Sequence, residues 1–307
     1  MTLPEHLTLK NPTDVPLDSL VRFVRSYEET ITGTSTCSRE DILLETGIPG
    51  YRDNSWCLTD AADEVVAWAA LTVRGGGTAD CALTVLPGEH GDAAARALLH
   101  RLLNRADELG EEQDTYYSVS VGGVLSGDTV VPRVLEQDGF VRSATFGQYD
   151  IDLRAAPLPP VLPENGRIRT AGWASDAEVM HALHLRNRSK GPKTESLEHF
   201  RAMLEQLGAA GGVALVLELA GRPAGYVLAQ EGGGEGRVIE MGVAPASRGL
   251  GIGLALVTAV LAELRALGSA RALMAMDTAE IRDHEGLRRI LAIQGERAVS
   301  QYFKQTA

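Results

Sequence analysis

Residues 240 to 257 read EMGVAPASRGLGIGLALV: a strand pattern stopping at Pro245, an arginine, three alternating glycines and an apolar helix pattern. Glycine at 249, 251 and 253 permits left-handed backbone and lets a ligand approach the main chain closely. The helix starting beside them offers unpaired N–H groups and the positive end of its dipole. Together these make an anion cradle suited to a diphosphate ester, held mainly by the amides of Gly249, Leu250, Gly251, Ile252 and Gly253, with Arg248 adding charge at the mouth.

Two common phosphate motifs do not fit. A P-loop needs Gly-Lys-Ser/Thr at the helix start, whereas this helix opens Gly253-Leu254-Ala255. The dinucleotide fingerprint needs a glycine three places after Gly251, and that place holds Leu254.

The elements that must position this loop are legible on both sides of it. Upstream come a short strand at 167–172, a helix from Ser175 as cap, a second helix opened by Ser196 and closed by Gly208, a hairpin turning at Gly221-Arg222-Pro223, and the strand 236–245. Downstream, the spacing predicts a helix over 252–267, a strand at 272–276, a helix around 287–293 and a last strand, AVSQYFKQ. The first half follows the same order, with helices at 19–30 and 38–47, a hairpin over 55–73, a strand at 79–88, a long helix at 92–110 and a strand at 115–121. Between the halves, four prolines in residues 157–163 forbid helix. The pattern predicts two copies of one module, 1–155 and 165–307, joined by a linker at 156–164.

Composition excludes several classes. A net charge of −12 over 307 residues, with no basic stripe, argues against a nucleic-acid partner. No apolar window approaches a membrane span and no leader pattern opens the sequence, so the expectation is a cytoplasmic protein, monomeric or a homodimer, with no membrane partner. Cys37, Cys57 and Cys81, odd in number and without close spacing, read as reduced packing residues, and no metal site is expected.

The pattern Arg248-x-x-Gly251-x-Gly253, reached from a strand through VAP and followed by LALVTAVLAEL, resembles the signature of the GNAT superfamily of acyl-CoA-dependent N-acyltransferases. The resemblance extends along nearly all of the second half. It implies an α/β (α+β) fold of two tandem modules, each a mixed, mostly antiparallel sheet flanked by helices. It also implies acetyl-CoA as cofactor, its pyrophosphate on the amides of Gly249 to Gly253 and its pantetheine arm on the backbone of Met241, Gly242 and Val243. The acceptor implied is the primary amine of a small molecule. Glu240, five residues before Pro245, falls close to where the family carries a base, and Glu235 is a weaker candidate. The family's tyrosine acid falls in register on Leu291, which leaves Tyr226 and Tyr302 as substitutes. His184, Arg186 and Arg188 lie where the family lines its acceptor cleft, suited to an acceptor bearing carboxylate or phosphate.

The first half departs at the loop. VLPGEHGDAAARALL keeps Pro87 but sets Glu89, His90 and Asp92 where a diphosphate would be repelled. The tandem arrangement resembles mycothiol synthase and related actinobacterial acyltransferases, in which one module can be chemically silent. The expected function is N-acetylation by the second module; the alternatives are a non-catalytic acyl-CoA sensor and a mycothiol synthase-like acetyltransferase.

Overall fold

The computed structural model describes the chain apart from residues 1, 2, 4, 5, 49, 74–76, 155–158, 188–195, 279–283 and 305–307. Its contacts divide it into two units, Met1–Phe146 with Arg297–Ala307, and Gly147–Glu296. These are not the modules 1–155 and 165–307 that the proline-rich 156–164 suggests: residues 147–164 fall in the second unit and 297–307 in the first. Prolines forbid helix locally, but they do not determine which sheet a strand on either side joins.

In the first unit a short strand β1 (Thr8–Lys10) precedes the helices α1 (Leu17–Thr32) and α2 (Arg39–Thr46). Then follow β2 (Ser55–Thr59), β3 (Val65–Val73), β4 (Thr78–Val85), α3 (Gly91–Glu112), β5 (Ser118–Leu125), α4 (Val131–Gln137) and the first part of β6 (Val141–Asp152). The strand order is β1-β2-β3-β4-β5 and next the late strand β12 (Ile293–Lys304), followed by β6. β1 to β4 pair antiparallel, β4 with β5 parallel, and β5 with residues 299–304 of β12 antiparallel. Alternation along β3 sends Ala67, Ala69 and Leu71 under α3, and Trp68 and Ala70 under α1 and α2.

The second unit adds β7 (Gly166–Thr170), α5 (Ala177–Asn187), α6 (Leu197–Ala209), β8 (Val213–Leu219), β9 (Arg222–Gly232), β10 (Glu235–Val243), α7 (Ile252–Ala266), β11 (Arg271–Asp277) and α8 (His284–Leu291). Its strand order is β6-β11-β10-β9-β8-β7, with β10 and β11 parallel and β7 to β10 antiparallel. One sheet face, with Leu215, Leu217, Val227 and Ala229, packs under α7 through Ile252, Leu256, Val260 and Leu264. The other, with Ala214, Val216, Tyr226 and Leu228, packs under α5 and α6 through Met180, Leu183, Phe200 and Leu204.

Local details shift three expected boundaries. The β8–β9 turn is Ala220-Gly221, with φ of 47° and 75°, the left-handed pair of a tight two-residue hairpin; Arg222 and Pro223 already belong to β9. Helix α5 starts after Asp176 rather than Ser175: the Met180 N–H donates to the Asp176 carbonyl, while the Asp176 carboxylate accepts from the Gly172 N–H and from Arg169. Ser196 opens α6, with the Phe200 N–H donating to its carbonyl, but the helix runs past Gly208. A β-carbon at 208 would stand 3.0 Å from Trp173 Cγ, so the glycine there makes room for the indole.

Candidate active site

The site begins with an irregularity in β10. Its register against β9 shifts between Val238 and Glu240, so Ile239 is the extra residue of a β-bulge. The parallel ladder with β11 ends at the same place, with Val238 opposite Met274 as its last pair. Beyond it the pairing with β9 continues from Glu240↔Leu228 to Val243↔Gly225. The Ala244 N–H donates to the Ala224 carbonyl, so by alternation Gly242 also directs its peptide groups to β9. Met241 and Val243 direct theirs to the other side, beyond the last β11 pair. Their side chains lie on the α7 face.

From Val243 the chain passes through Ala244 and a 3-10 turn at Pro245–Ser247 into the glycine loop. Gly249 and Gly251 take φ of 80° and 79°, the left-handed region that a side chain disfavours. A β-carbon at either would meet nothing within 4 Å, so the conformation, not crowding, asks for glycine. Gly251 is the residue before α7, whose start has no side-chain cap, and its carbonyl accepts from the Ala255 N–H. The expected third left-handed glycine is different: Gly253 lies inside α7, where an added β-carbon would make only ordinary contacts with Met241 and Val243. Arg248 and Leu250 are exposed on the loop. The structure thus gathers Arg248 to Gly253 at one helix start, with Met241 to Val243 leading into it.

The opposite face of β10 carries Glu240, and two elements bring partners to it. His184 on α5 is buried, with its Nδ1 3.0 Å from the Tyr226 hydroxyl on β9 and 3.6 Å from Glu240 Oε1. The imidazole lies against the Phe200 ring at 5.3 Å between centroids, and Phe200 meets the edge of Tyr226. Gly242, expected to serve the cofactor, has a packing reason: a β-carbon there would stand 2.4 Å from Tyr226 Cε1, so the ring needs this glycine opposite it. Glu240 is 32% exposed at its side chain while His184 is 4% exposed, so the carboxylate is the member of the trio that solvent and substrate can reach.

Other expected residues lie elsewhere. Tyr302 pairs with Val121 of β5 and is 3% exposed in the apolar core of the first unit; burial and then Glu136 raise its phenol above the usual range. It belongs to the first unit because residues 299–304 of β12 pair with β5. Leu291, in the family's acid register, is buried in the α7-side core. Tyr226 is fully buried with its hydroxyl on His184. Glu235 is engaged by Arg237 and Arg271, which removes it as a base. Arg186 is exposed near the end of α5, and Arg188 lies outside the described residues. The bulge has a signal in the sequence, the adjacent apolar pair Val238-Ile239 interrupting strand alternation, whereas the joining of His184 to Glu240 has none.

The first unit offers a direct counterpart. Five residues, 86–90, separate β4 from α3, against eight, 244–251, between β10 and α7. None of the five has positive φ. Asp92, in the first turn of α3, pairs with Arg133 of α4. β4 pairs with β3 without a register shift, and its ladder with β5 continues to Ala82↔Gly122. Ala82, five residues before Pro87, stands where Glu240 stands relative to Pro245, and Trp68 opposite Thr84 matches Tyr226 opposite Gly242. The three cysteines are buried in this unit and form no disulfide; burial pushes the Cys57 thiol up to about 12, which makes it inert as a nucleophile.

Among the described residues no helix is long and apolar enough to cross a membrane, and no group of three or more His, Cys, Asp or Glu side chains is placed to hold a metal ion. Residues 178–286, from α5 into α8, match the model of the acetyltransferase (GNAT) family. No curated protein matches the sequence. Among solved structures, a GCN5-related N-acetyltransferase from Sphaerobacter thermophilus is similar over 99% of this chain and 96% of its own, with 20% identity and a TM-score of 0.78. A tandem GNAT protein from the clavulanic acid biosynthesis pathway, in a form without AcCoA, is similar over 97% and 98%, with 17% identity and a TM-score of 0.62. A putative acetyltransferase from Pyrococcus horikoshii covers 100% of this chain with 92% of its own, at 12% identity and a TM-score of 0.59. Likeness at such identities speaks for the fold, and the family match speaks for the unit that carries the bulge and the glycine loop. The chain has the fold of tandem GNAT proteins, and its residues 178–286 match the acetyltransferase (GNAT) family.

Proposed function

We propose that the second unit is an N-acyltransferase that uses acetyl-CoA and acts on a primary amine of a small molecule, by direct attack in a ternary complex. The observation that carries this reading is the bulge at Ile239, where the β10–β11 ladder ends, followed within one short segment by a loop with two left-handed glycines at an uncapped helix start. These residues fit the cofactor: a side chain at 249 or 251 would fill the space and strain the backbone that the diphosphate needs. The bound cofactor supplies a thioester, an acyl group already activated toward an amine.

The chain's own groups have three tasks. Amides from Gly249 to Gly253 hold the diphosphate, and the peptide groups of Met241 and Val243 orient the pantetheine arm along β10. The Val243 N–H stabilises negative charge on the reacting carbonyl oxygen. Glu240 takes the proton of the incoming ammonium, freeing its lone pair. The described residues place no acid at the Leu291 position, and a thiolate leaves readily near neutral pH. All three cysteines belong to the first unit, and none lies on the strand or helix that flanks the loop. The first unit, with a shorter acidic loop, is read as a partner that does not bind CoA. The buried thiols suit a reducing, cytoplasmic setting, with the chain working alone or as a homodimer.

Calorimetry with acetyl-CoA should give one site per chain, and a panel of small primary amines should release CoA. The buried Tyr226 and Leu291 favour a second reading, an acyl-CoA sensor without turnover. Binding with no CoA release from any amine would select it; no binding at all would remove both.

A further inference from the structure

Behind Glu240 lies a buried pair of polar side chains: His184 of α5, with its Nδ1 3.6 Å from Oε1, and Tyr226 of β9, which contacts His184. The pair sits among Met180, Leu183, Phe200, Leu204, Val216 and Leu228, where an imidazole and a phenol each lose hydration that a Phe or Leu would not have to give up. Residues of that kind need partners, and the geometry gives them one another and the carboxylate.

We infer that His184 is a positioning residue for Glu240, with Tyr226 fixing His184 in turn; this rests on the reading of Glu240 as the base. A carboxylate only accepts hydrogen bonds, whereas a phenol hydroxyl both donates and accepts. With Nδ1 3.0 Å from the hydroxyl and 3.6 Å from Oε1, the arrangement that leaves no lone pair facing the carboxylate puts the proton on Nδ1. The Nδ1–H then points between the two oxygens and keeps the Glu240 carboxylate from rotating away. Gly242 makes this possible, since only a residue without a β-carbon leaves room for the Tyr226 ring. His184 is therefore no acceptor ligand: its 4% exposure places it behind the carboxylate rather than in the cleft.

Around His184 the described residues place three titrating groups: His181 on its own helix, against the same Phe200 ring, Tyr226 on β9 and Glu240 on β10. Glu178 of α5 pairs with Arg201 of α6 on the exposed side, and Arg186 is exposed.

The test uses the whole chain and two histidine variants. An Asn side chain can present an N–H where Nδ1 stands, whereas Phe keeps the ring and removes the donor. His184→Phe is expected to bind acetyl-CoA within about twofold of the parent and to lower kcat about 30-fold, because the carboxylate has lost the group that holds its orientation. His184→Asn should recover most of the rate. A role confined to packing predicts the reverse order, with Phe better tolerated than Asn, and that outcome overturns the inference. A readout independent of turnover separates this from the functional reading. In 15N-histidine spectra, His184 should carry its proton on Nδ1, and Glu240→Gln should shift that resonance. A resonance unmoved by Glu240→Gln overturns the inference even in an active enzyme. A shifted resonance in a protein that binds acetyl-CoA but turns over no amine overturns the base role, and the positioning role with it.

Discussion

The segments 86–90 and 244–251 join equivalent strands and helices in the two units, yet they differ in every feature that bears on a ligand. The first is three residues shorter, carries Glu89 and has no left-handed residue; the second has two left-handed glycines and Arg248. The strands ahead of them differ in the same sense, since β4 is regular and stays paired with β5 to Ala82, while β10 bulges and leaves β11 at Val238. What both units keep is the apolar alternation that packs a sheet under a long helix, through Leu98, Leu99 and Leu102 in one and Leu256, Val260 and Leu264 in the other. The fold therefore depends on the helix–sheet core, and the bulge, loop and carboxylate are additions that one copy can lack without losing it.

The comparison breaks most sharply at the loop. Gly251→Glu forces a side chain into φ 79° and sets a negative charge at the helix start, so acetyl-CoA affinity should fall about 1000-fold, equivalent to ~4 kcal/mol, in calorimetry. Gly88→Glu in the other loop should change neither affinity nor the one-to-one stoichiometry; a second site per chain would show that both loops bind. Next in size is the core of the first unit. Tyr302→Ala should cost about 3 kcal/mol in urea unfolding, as truncation of a buried aromatic does, while Tyr302→Phe leaves kcat unchanged. A large fall in kcat for Tyr302→Phe would return it to the reaction.

Glu240→Gln should lower kcat about 100-fold with acetyl-CoA affinity held within twofold, and Ala82→Glu in the equivalent place should alter neither. The smallest effect concerns how each unit begins its first helix. In the second, hydrogen bonding to Arg169, reinforced by the Gly172 amide, holds the Asp176 carboxyl below its ordinary range; in the first, α1 follows Pro16 with no side-chain cap. A lowered carboxyl stabilises the fold above its unfolded value of about 4, and that contribution disappears as pH falls through the folded value. Arg169→Met should remove about 1 kcal/mol near pH 6 and progressively less below pH 4, measured by urea unfolding across that range.

Much of this was legible because it is local. Glycine spacing marks a loop wherever the chain runs, so Gly249 and Gly251 appear in the sequence as they stand in the structure, and Glu240 follows by counting back from Pro245. Gly253 is helical instead, because a glycine permits left-handed backbone without requiring it. His184 needed the phase of α5 against the sheet, which the weak apolar stripe of AEVMHALHLRN does not fix. Tyr302 stands in the first unit for a different reason: the apolar pattern of a strand states that it pairs, not with which strand, and residues 299–304 pair with 119–125 across most of the chain's length.

That last pairing sets an order of events during synthesis. The ribosome makes residues 1–146 first, but their sheet waits for a strand encoded after the whole of 147–296, so the earlier-made half is completed last. Until then the surface of β5 that will take Val299 to Lys304 is open, and the nascent chain has to keep an apolar sheet edge from wrong partners for the entire time its later half is being translated and folded.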